Sequence, residues 1–444
     1  MTSPPPSAQV QVRPGAAWGG TITVPGDKSI SHRTALLAAL ANGVSTLDGF
    51  LHSEDCLNTV RAVAALGAAV RTATDGRLEI TGCGGHFQIP RTELDCGNSG
   101  TGLRLLMGLL APQPFATRLI GDASLSRRPM RRIQTPLAHM GAEIMLTEPR
   151  GTPPVTVRGA PLQGIRYTLP VASAQVKSAI LLAGLYARGV TEVIEPSPTR
   201  DHTERALSAA GFPLEIEGLR IRLTGAAGPP PLAARAWQIP GDFSSAAFAW
   251  VAAAIQPGAS VTVRRVGLNP RRTALLDVLQ RMGAQVRVTP EPTAPGAEPI
   301  GQVTVTGAPL RGTTIGGDEI PSLIDEIPVL SVAGLFAAGP TCIRDAAELR
   351  VKESDRIAVM AGHLRRLGAT VDEQPDGFTL HGPITPRAEG VFASRGDHRV
   401  AMALAVAALR IPAGLRLTDV ACISTSYPGF WDHWRQLGAY VEER

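Results

Sequence analysis

Six times along this chain one phrase recurs, and that recurrence limits the possible folds more than any other feature. A short turn rich in Gly, Asp and Ser opens an apolar helix. Later a second helix ends in Gly-Ala or a close variant and gives way to a strand-like run. The openings are GDKSISHRTALLAAL from Gly26, GNSGTGLRLLMGLL from Gly97, VASAQVKSAILLAGL from Val171, PGDFSSAAFAWVAAAI from Pro240, IPSLIDEIPVLSVAGL from Ile320 and SRGDHRVAMALAVAAL from Ser394. The closings are LGAAV at Leu66, MGAEI at Met140, AGFPLEI at Ala210, MGAQVRV at Met282, LGATV at Leu367 and LGAYV at Leu437. A spacing of roughly 70 to 85 residues is too long for a solenoid repeat, so each unit is a sizeable α/β module. Charged and polar residues gather at the openings, where helix N-termini fall. A helix N-terminus exposes unpaired N–H groups and about half a positive charge, and so draws anions. Several such openings with added Lys and Arg describe a site for a multiply anionic substrate.

A chain of 444 residues is long enough for two domains with full cores. Aromatics make up only 4%, so Ala, Leu, Val and Ile must fill those cores. The net charge of +5 suits acidic small molecules as well as nucleic acid. The five cysteines, Cys56, Cys83, Cys96, Cys342 and Cys422, are scattered, odd in number and nowhere spaced CxxC. That argues against a disulfide framework or zinc site and for a reducing compartment. The opening MTSPPPSAQVQVRPG lacks an apolar signal core and reads as a short disordered tail. Uncharged apolar runs such as Ala246–Ile255 reach about ten residues, where a membrane span needs about 20. The expectation is a cytoplasmic protein without a membrane segment.

Three units run from about Thr21 to Thr224. The Gly/Pro/Ala stretch TGAAGPPPLAARAW, Thr224 to Trp237, reads as a linker, and three more units follow from about Gln238. This predicts two pseudo-equivalent lobes. TPEPTAPGAEPIG, Thr289 to Gly301, reads as a Pro-rich loop inside unit four. Val155-Thr156-Val157, Val261-Thr262-Val263 and Val303-Thr304-Val305 are strand signals. LNTVRAVAALGA puts Leu57, Val60, Val63, Ala64 and Leu66 on one helical face, and RTALLDVLQRMGA does so with Leu275, Leu276, Leu279 and Met282. The opening helices are apolar nearly all round, as in VAMALAVAAL from Val400, so they must be buried. Each lobe should therefore have a helical interior with sheets outside it, and the helix N-termini should emerge at one end.

In GDKSISHR, Asp27 or Ser29 can cap the helix. Lys28 and Arg33 oppose the helix dipole, which favours a functional reading over a solvated pair. In GNSGTGLR, small residues let backbone N–H groups approach an oxyanion, although a plain capped turn would look the same. GDASLSRRPMRR packs four arginines into six residues, and Pro129 forces Arg128 toward an extended conformation. Guanidinium groups bind carboxylate or phosphate bidentately. SAQVK offers a hydroxyl, an amide and an amine within one helical turn, and SPTRDHTER adds Arg200. IPSLIDEIPVL carries Asp325 and Glu326 in an apolar stretch, costly unless paired or functional. RVKESDR alternates Lys352, Glu353, Asp355 and Arg356, a pattern that also fits a salt-bridged helix face. In DHR, Asp397 to Arg399, a cation again opens an apolar helix. Among the histidines only His398 belongs with the site, because Arg399 adjoins it; His32, His202 and His363 read as surface or capping residues. There is no P-loop, HExxH, GxSxG or metal-ligand spacing, and GCGGHF at Gly82 lacks the dinucleotide context.

Taken together, GDKSISHR, GNSGTGLR, RPM, SAQVK, LIDEIP, RVKESDR and GDHR closely resemble the 5-enolpyruvylshikimate-3-phosphate synthase family, over about Val10 to Tyr440. The resemblance implies an α/β (α+β) fold of two inside-out, barrel-like α/β domains, each of three βαβαββ units. The first strand would return to the C-terminal lobe, so residues 1–20 with 239–444 form that lobe and 21–238 the N-terminal one. The implied reaction transfers the enolpyruvyl group of phosphoenolpyruvate to the 5-hydroxyl of shikimate 3-phosphate by addition and elimination, with lobe closure. Lys28, Ser29, Arg33, Ser173, Ala174, Gln175, Arg200, Asp325 and Lys352 would hold shikimate 3-phosphate. Lys28, Gly100, Arg128, Gln175, Arg356, His398 and Arg399 would hold phosphoenolpyruvate. Asp325 matches the base for the 5-hydroxyl. Glu353 matches the acid for the methylene carbon, with Lys28 close by, and the sequence does not choose between those two. No cofactor, metal, nucleic acid or membrane is implied, and a monomer is expected.

Where many members have Asn this chain has Glu348, and where many have Ser it has Ala174. Some have Tyr at Arg200 and Lys at Thr425. SAQVK, RDHTE and NPRR resemble the bacterial class II branch. Gly100 is not the Ala that narrows the pocket of glyphosate-tolerant members, so sequence alone leaves tolerance undecided. A sister enzyme acting on UDP-N-acetylglucosamine typically has a reactive Cys in a loop matching Ala116 to Arg132, where this chain has none. A nucleic-acid clamp would not interleave Asp325, Glu353 and Asp355 with its cations.

Overall fold

The computed structural model describes residues 9–74, 76–294, 296–387 and 390–443. Its strands form six four-stranded sheets built to one plan. In one of them Arg166–Thr168 runs parallel to Val190–Ile194, which is antiparallel to Arg220–Thr224, which is antiparallel to Leu214–Glu217. The helix Ala174–Gly184 links the parallel pair, and the helix His202–Ala209 leads to the third strand. Parallel neighbours need such a crossover, and the last two strands close as a hairpin. The repeat is thus βαβαββ.

The helix after each first strand lies inside. Every residue of Phe243–Ala254 and of Ile327–Leu335 is buried, as an all-round apolar pattern requires. Small residues let these helices pack closely: a Cβ at Gly108 would lie 2.4 Å from the Ala179 carbonyl oxygen of the neighbouring inner helix. The second helices are amphipathic. In Ala274–Met282 the expected Leu275, Leu276, Leu279 and Met282 are all buried. In Glu54–Ala65 the buried face runs through Cys56, Thr59, Val60 and Val63. Leu57 is only half-buried and Ala64 is exposed, against the expectation, because the face is centred one residue away.

The chain divides into two compact units: Met1–Pro25 with Gly241–Pro292 and Pro299–Arg444, and Gly26–Pro240 with Thr293–Glu298. Two sheets exchange their first strands. Gly19–Ile22 pairs with Ser260–Gly267, and Ala236–Gln238, expected in a linker, pairs with Asn42–Asp48. Part of the expected tail is also structured. Val10–Arg13 is the central strand between Leu415–Thr418 and Tyr440–Glu443, with Val10 and Val12 buried. Residues 1–8 of that stretch lie outside the described residues. Among the described residues no helix is long and apolar enough to cross a membrane.

Candidate active site

In the unit Gly26–Pro240, three inner helices begin at Lys28, Gly100 and Ala174, each with a short polar cap. Asp27 accepts from the Ile30 N–H at 2.9 Å, Ser99 from Gly102 at 2.9 Å and Ser173 from Val176 at 3.4 Å. Each cap satisfies an N–H left over by the first turn. Ala174 is the first residue of its helix. Lys28 Nζ lies 2.5 Å from Asp55 Oδ2.

Arg33 is buried one turn beyond Ser29. It donates to Thr203 Oγ1 at 2.7 Å, Ser178 Oγ at 2.8 Å and the Ser29 carbonyl at 2.9 Å. Burial lowers its guanidinium to about 10; Glu204 acts against that shift and Arg200 with it. Arg200 lies half-buried just before the His202–Ala209 helix. Gln175 accepts from Arg104 Nη1 at 2.6 Å and donates to Thr101 Oγ1 at 2.9 Å.

Arg128 is extended, as Pro129 demands, with φ −83° and ψ 139°. Its Nη2 donates to Asn98 Oδ1 at 2.7 Å and Ser124 Oγ at 3.2 Å. It alone of the four clustered arginines is buried; Arg127 and Arg131 are exposed, Arg131 paired with Glu148. A Cβ at Gly100 would come within 2.9 Å of Arg104 Nη1 and 3.1 Å of Arg128 Nη1. Two guanidinium ends therefore converge on this glycine.

Two motif residues behave otherwise than expected. Lys177 turns inward, fully buried between Glu195 at 2.9 Å and Glu204 at 2.7 Å, so the amine of SAQVK does not join this group. His32 is not a surface or capping residue. It is fully buried, with Nδ1 2.7 Å from Thr59 Oγ1 and Nε2 3.2 Å from Ser99 Oγ. Burial, then the charges of Lys28 and Arg33, push its imidazole down to about 3, so the ring is neutral. His202 is likewise buried, 2.6 Å from Glu298, and His363 is buried against the Ala393 carbonyl at 3.0 Å.

In the other unit, Asp325 and Glu326 sit between the short helix Ile320–Leu323 and the inner helix Ile327–Leu335. Asp325 Oδ1 lies 3.4 Å from Arg356 Nη1 and 3.5 Å from Arg399 Nε. Arg399 Nη1 also donates to the Asp325 carbonyl at 2.9 Å. Arg356 is fully buried, donating to Asp397 Oδ2 at 2.8 Å and Glu353 Oε2 at 2.6 Å. Burial opposes its charge, but Asp397 and then Glu353 outweigh burial and hold the guanidinium above its ordinary range. Asp397 is held low in return: burial favours its protonation, and Arg356 overrides it. Asp397 also caps the His398–Ala408 helix through the Arg399 N–H at 2.9 Å. His398 is buried as the first residue of that helix.

RVKESDR is not one helical face. Its first two residues end a 3-10 turn, Ala347–Val351, and the helix Arg356–Arg366 starts only after Asp355, which caps it through the Ala358 N–H at 3.0 Å. Lys352 and Glu353 thus stand on the connection. Lys352 lies 3.8 Å from Glu348 Oε1, and burial draws its ammonium below the usual range against the pull of Asp325. Thr425 donates to the Cys422 carbonyl at 2.7 Å at the end of a 3-10 turn.

Asp55, Asn98, Arg104, Glu326 and Asp397 all touch expected site residues, although the sequence motifs do not assign them to the site. Arg104 carries a signal, standing one helical turn after Gly100 on the same face. Asp55 carries none, since its partner is 27 residues away and only tertiary packing joins them. Glu326 accepts from Ser244 Oγ and lies 3.8 Å from Arg399 Nη1, so the cost of burying it is offset. Among the described residues no group of three or more His, Cys, Asp and Glu side chains is placed to hold a metal ion.

The chain matches the family model of EPSP synthase (3-phosphoshikimate 1-carboxyvinyltransferase) over residues 12–434. It is 52% identical over 418 residues to a 3-phosphoshikimate 1-carboxyvinyltransferase of Xanthomonas campestris pv. campestris (strain B100), covering 94% of each chain. The enzyme of that name from Akkermansia muciniphila is 50% identical over 419 residues, covering 93% of this chain and 95% of the relative. An EPSP synthase structure from Acinetobacter baumannii superposes with a TM-score of 0.86 at 44% identity, covering 98% of this chain and 100% of that one. The enolpyruvyl transferase NikO from Streptomyces tendae shares the fold with a TM-score of 0.79 at 20% identity, covering 99% of both chains.

Proposed function

Because this chain belongs to the EPSP synthase family, we propose that its two charged clusters serve the steps of one reaction. The enzyme is a transferase of the shikimate pathway. It moves the enolpyruvyl group of phosphoenolpyruvate to the 5-hydroxyl of shikimate 3-phosphate and releases phosphate. Shikimate 3-phosphate is assigned to Lys28, Ser29, Arg33, Ser173, Ala174, Gln175, Arg200, Asp325 and Lys352. Phosphoenolpyruvate is assigned to Lys28, Gly100, Arg128, Gln175, Arg356, His398 and Arg399.

The observation that carries the assignment is Asp325 within 3.5 Å of both Arg356 and Arg399. A substrate carboxylate that recruits those arginines would free Asp325 Oδ1 to accept from the acceptor hydroxyl. Glu353 or Lys28 delivers a proton to the methylene carbon, and the 5-hydroxyl oxygen bonds to the neighbouring carbon, which carries developing positive charge. The tetrahedral adduct then loses a methyl proton and the bond to phosphate oxygen breaks.

The test mixes purified protein with phosphoenolpyruvate and shikimate 3-phosphate, and follows phosphate release. UDP-N-acetylglucosamine replaces the acceptor in a control. Release with shikimate 3-phosphate alone is the expected result. Release with neither acceptor from folded protein overturns the reading. The cytoplasm and a monomeric state complete the proposal, as does action on small molecules without nucleic acid, supported by carboxylates interleaved with the cations. Sedimentation at micromolar concentration checks the monomer.

A further inference from the structure

The geometry points to His32 as a positioning residue that locks the GNSG turn, and through it Arg128, against the helix that carries Lys28. The inference rests on the assignment of Lys28 and Arg128 to phosphoenolpyruvate. His32 lies one turn after Lys28 on its helix, and Thr59 lies one turn after Asp55 on the helix Glu54–Ala65. The His32–Thr59 contact at 2.7 Å is thus a second staple one turn below the Lys28–Asp55 pair at 2.5 Å. Two contacts at successive turns fix both the separation and the rotation of the helices, where a single contact would fix only the separation.

The other ring nitrogen reaches Ser99 Oγ, which also accepts the Gly102 N–H. Thr59 and Ser99 close on this turn so tightly that a Cβ at Gly102 would sit 2.8 Å from Thr59 Oγ1 and 3.0 Å from Ser99 Oγ. Asn58 presses on Gly97 in the same way, at 2.2 Å from a Cβ there. The turn so held presents Asn98 to Arg128. One buried imidazole therefore sets the distance between two cations, Lys28 at the start of a helix and Arg128 on an extended segment. An imidazole has the right size for this, because a short hydroxyl cannot span both partners and a long flexible chain would not hold the angle.

Three variants separate positioning from mere packing. His32→Leu keeps bulk and removes both contacts. It is expected to raise KM for phosphoenolpyruvate about tenfold, while the Kd of shikimate 3-phosphate alone, by calorimetry, changes less than about threefold. His32→Gln, whose amide reaches the place of Nε2, is expected to recover most of that loss through Ser99. Thr59→Val keeps shape and removes one partner, and stands in if His32→Leu does not fold; a rise of a few fold in the same KM is expected. An unchanged KM for phosphoenolpyruvate in His32→Leu, or in Thr59→Val if His32→Leu does not fold, overturns the inference. So does an equal loss of both substrates that tracks a fall in Tm. Wild-type protein that releases phosphate while these variants behave so separates this failure from failure of the functional reading.

Discussion

The two units hold their arginines differently. In Gly26–Pro240, Arg33, Arg104 and Arg128 donate to hydroxyl and amide oxygens: Thr203 and Ser178, Gln175, and Asn98 with Ser124. Such acceptors satisfy hydrogen bonds and carry no full negative charge of their own. In the other unit Arg356 and Arg399 contact carboxylates of Asp325, Glu353 and Asp397. There the guanidinium charge is neutralised inside the protein and tunes the carboxylates. Under the proposed assignment the difference is a division of labour from one repeat: equivalent helix openings would make an anion cradle or a proton-transfer cluster, depending on whether the partners are neutral or ionised.

The largest effect should come from the proton-transfer side. Asp325→Ala is expected to lower kcat by roughly 10²–10⁴-fold with the fold retained, read by phosphate release at saturating substrates. Near-native turnover would remove the base from that unit and break the comparison. Next is stability. Asp397→Asn keeps the helix cap but uncovers part of a buried charge, for an expected loss of about 3 kcal/mol. Thr203→Val, which takes a neutral partner from Arg33, should lose about 1–2 kcal/mol. Urea unfolding of both variants ranks them, and the reverse order would mean that the partner type does not matter.

A pH series sharpens the picture of the neutral cradle. The folded-state pKa of His32 is depressed from 6.5 to about 3, so its contribution is full above pH 6.5 and is lost as pH falls below it. Between pH 7 and pH 5 wild type should lose about 2 kcal/mol more than His32→Gln, measured by denaturant unfolding. The smallest effect is expected at Gly100→Ala. The added methyl presses on Arg104 and Arg128, ends of side chains that can yield, so KM for phosphoenolpyruvate should rise a few fold with kcat little changed.

Much of the fold was legible because the repeat shows through in the sequence. All-round apolar helices such as VAMALAVAAL can only be interior, and the β-branched triplets Val155–Val157 and Val261–Val263 can only be half-buried strands. The exchange of Gly19–Ile22 with Ala236–Gln238 was not legible, since three- and four-residue strands among Gly and Pro look like linker. At the site, cations at helix openings were visible because they violate the dipole rule. Their partners were not. Asp55, Thr203 and Asn98 are ordinary polar residues until packing brings them to Lys28, Arg33 and Arg128. The burial of His32 was hidden too, because a lone imidazole in a helix says nothing about which side is buried.

The strand Val10–Arg13 has a consequence for the order in which this protein can be made. It leaves the ribosome before both of its neighbours, Leu415–Thr418 and Tyr440–Glu443, and the whole of Gly26–Pro240 is made in between. The unit Gly26–Pro240 can gather its helices and sheets while synthesis continues, as domains generally do. The other unit must keep a short strand, with Val10 and Val12 to bury, waiting while Gly26–Pro240 is made. Closing that sheet is the most non-local strand pairing among the described residues, and non-local closure is slow. Nascent chains truncated before Leu415 should therefore carry one finished unit and one with an unpaired strand, the form most exposed to chaperones and proteases.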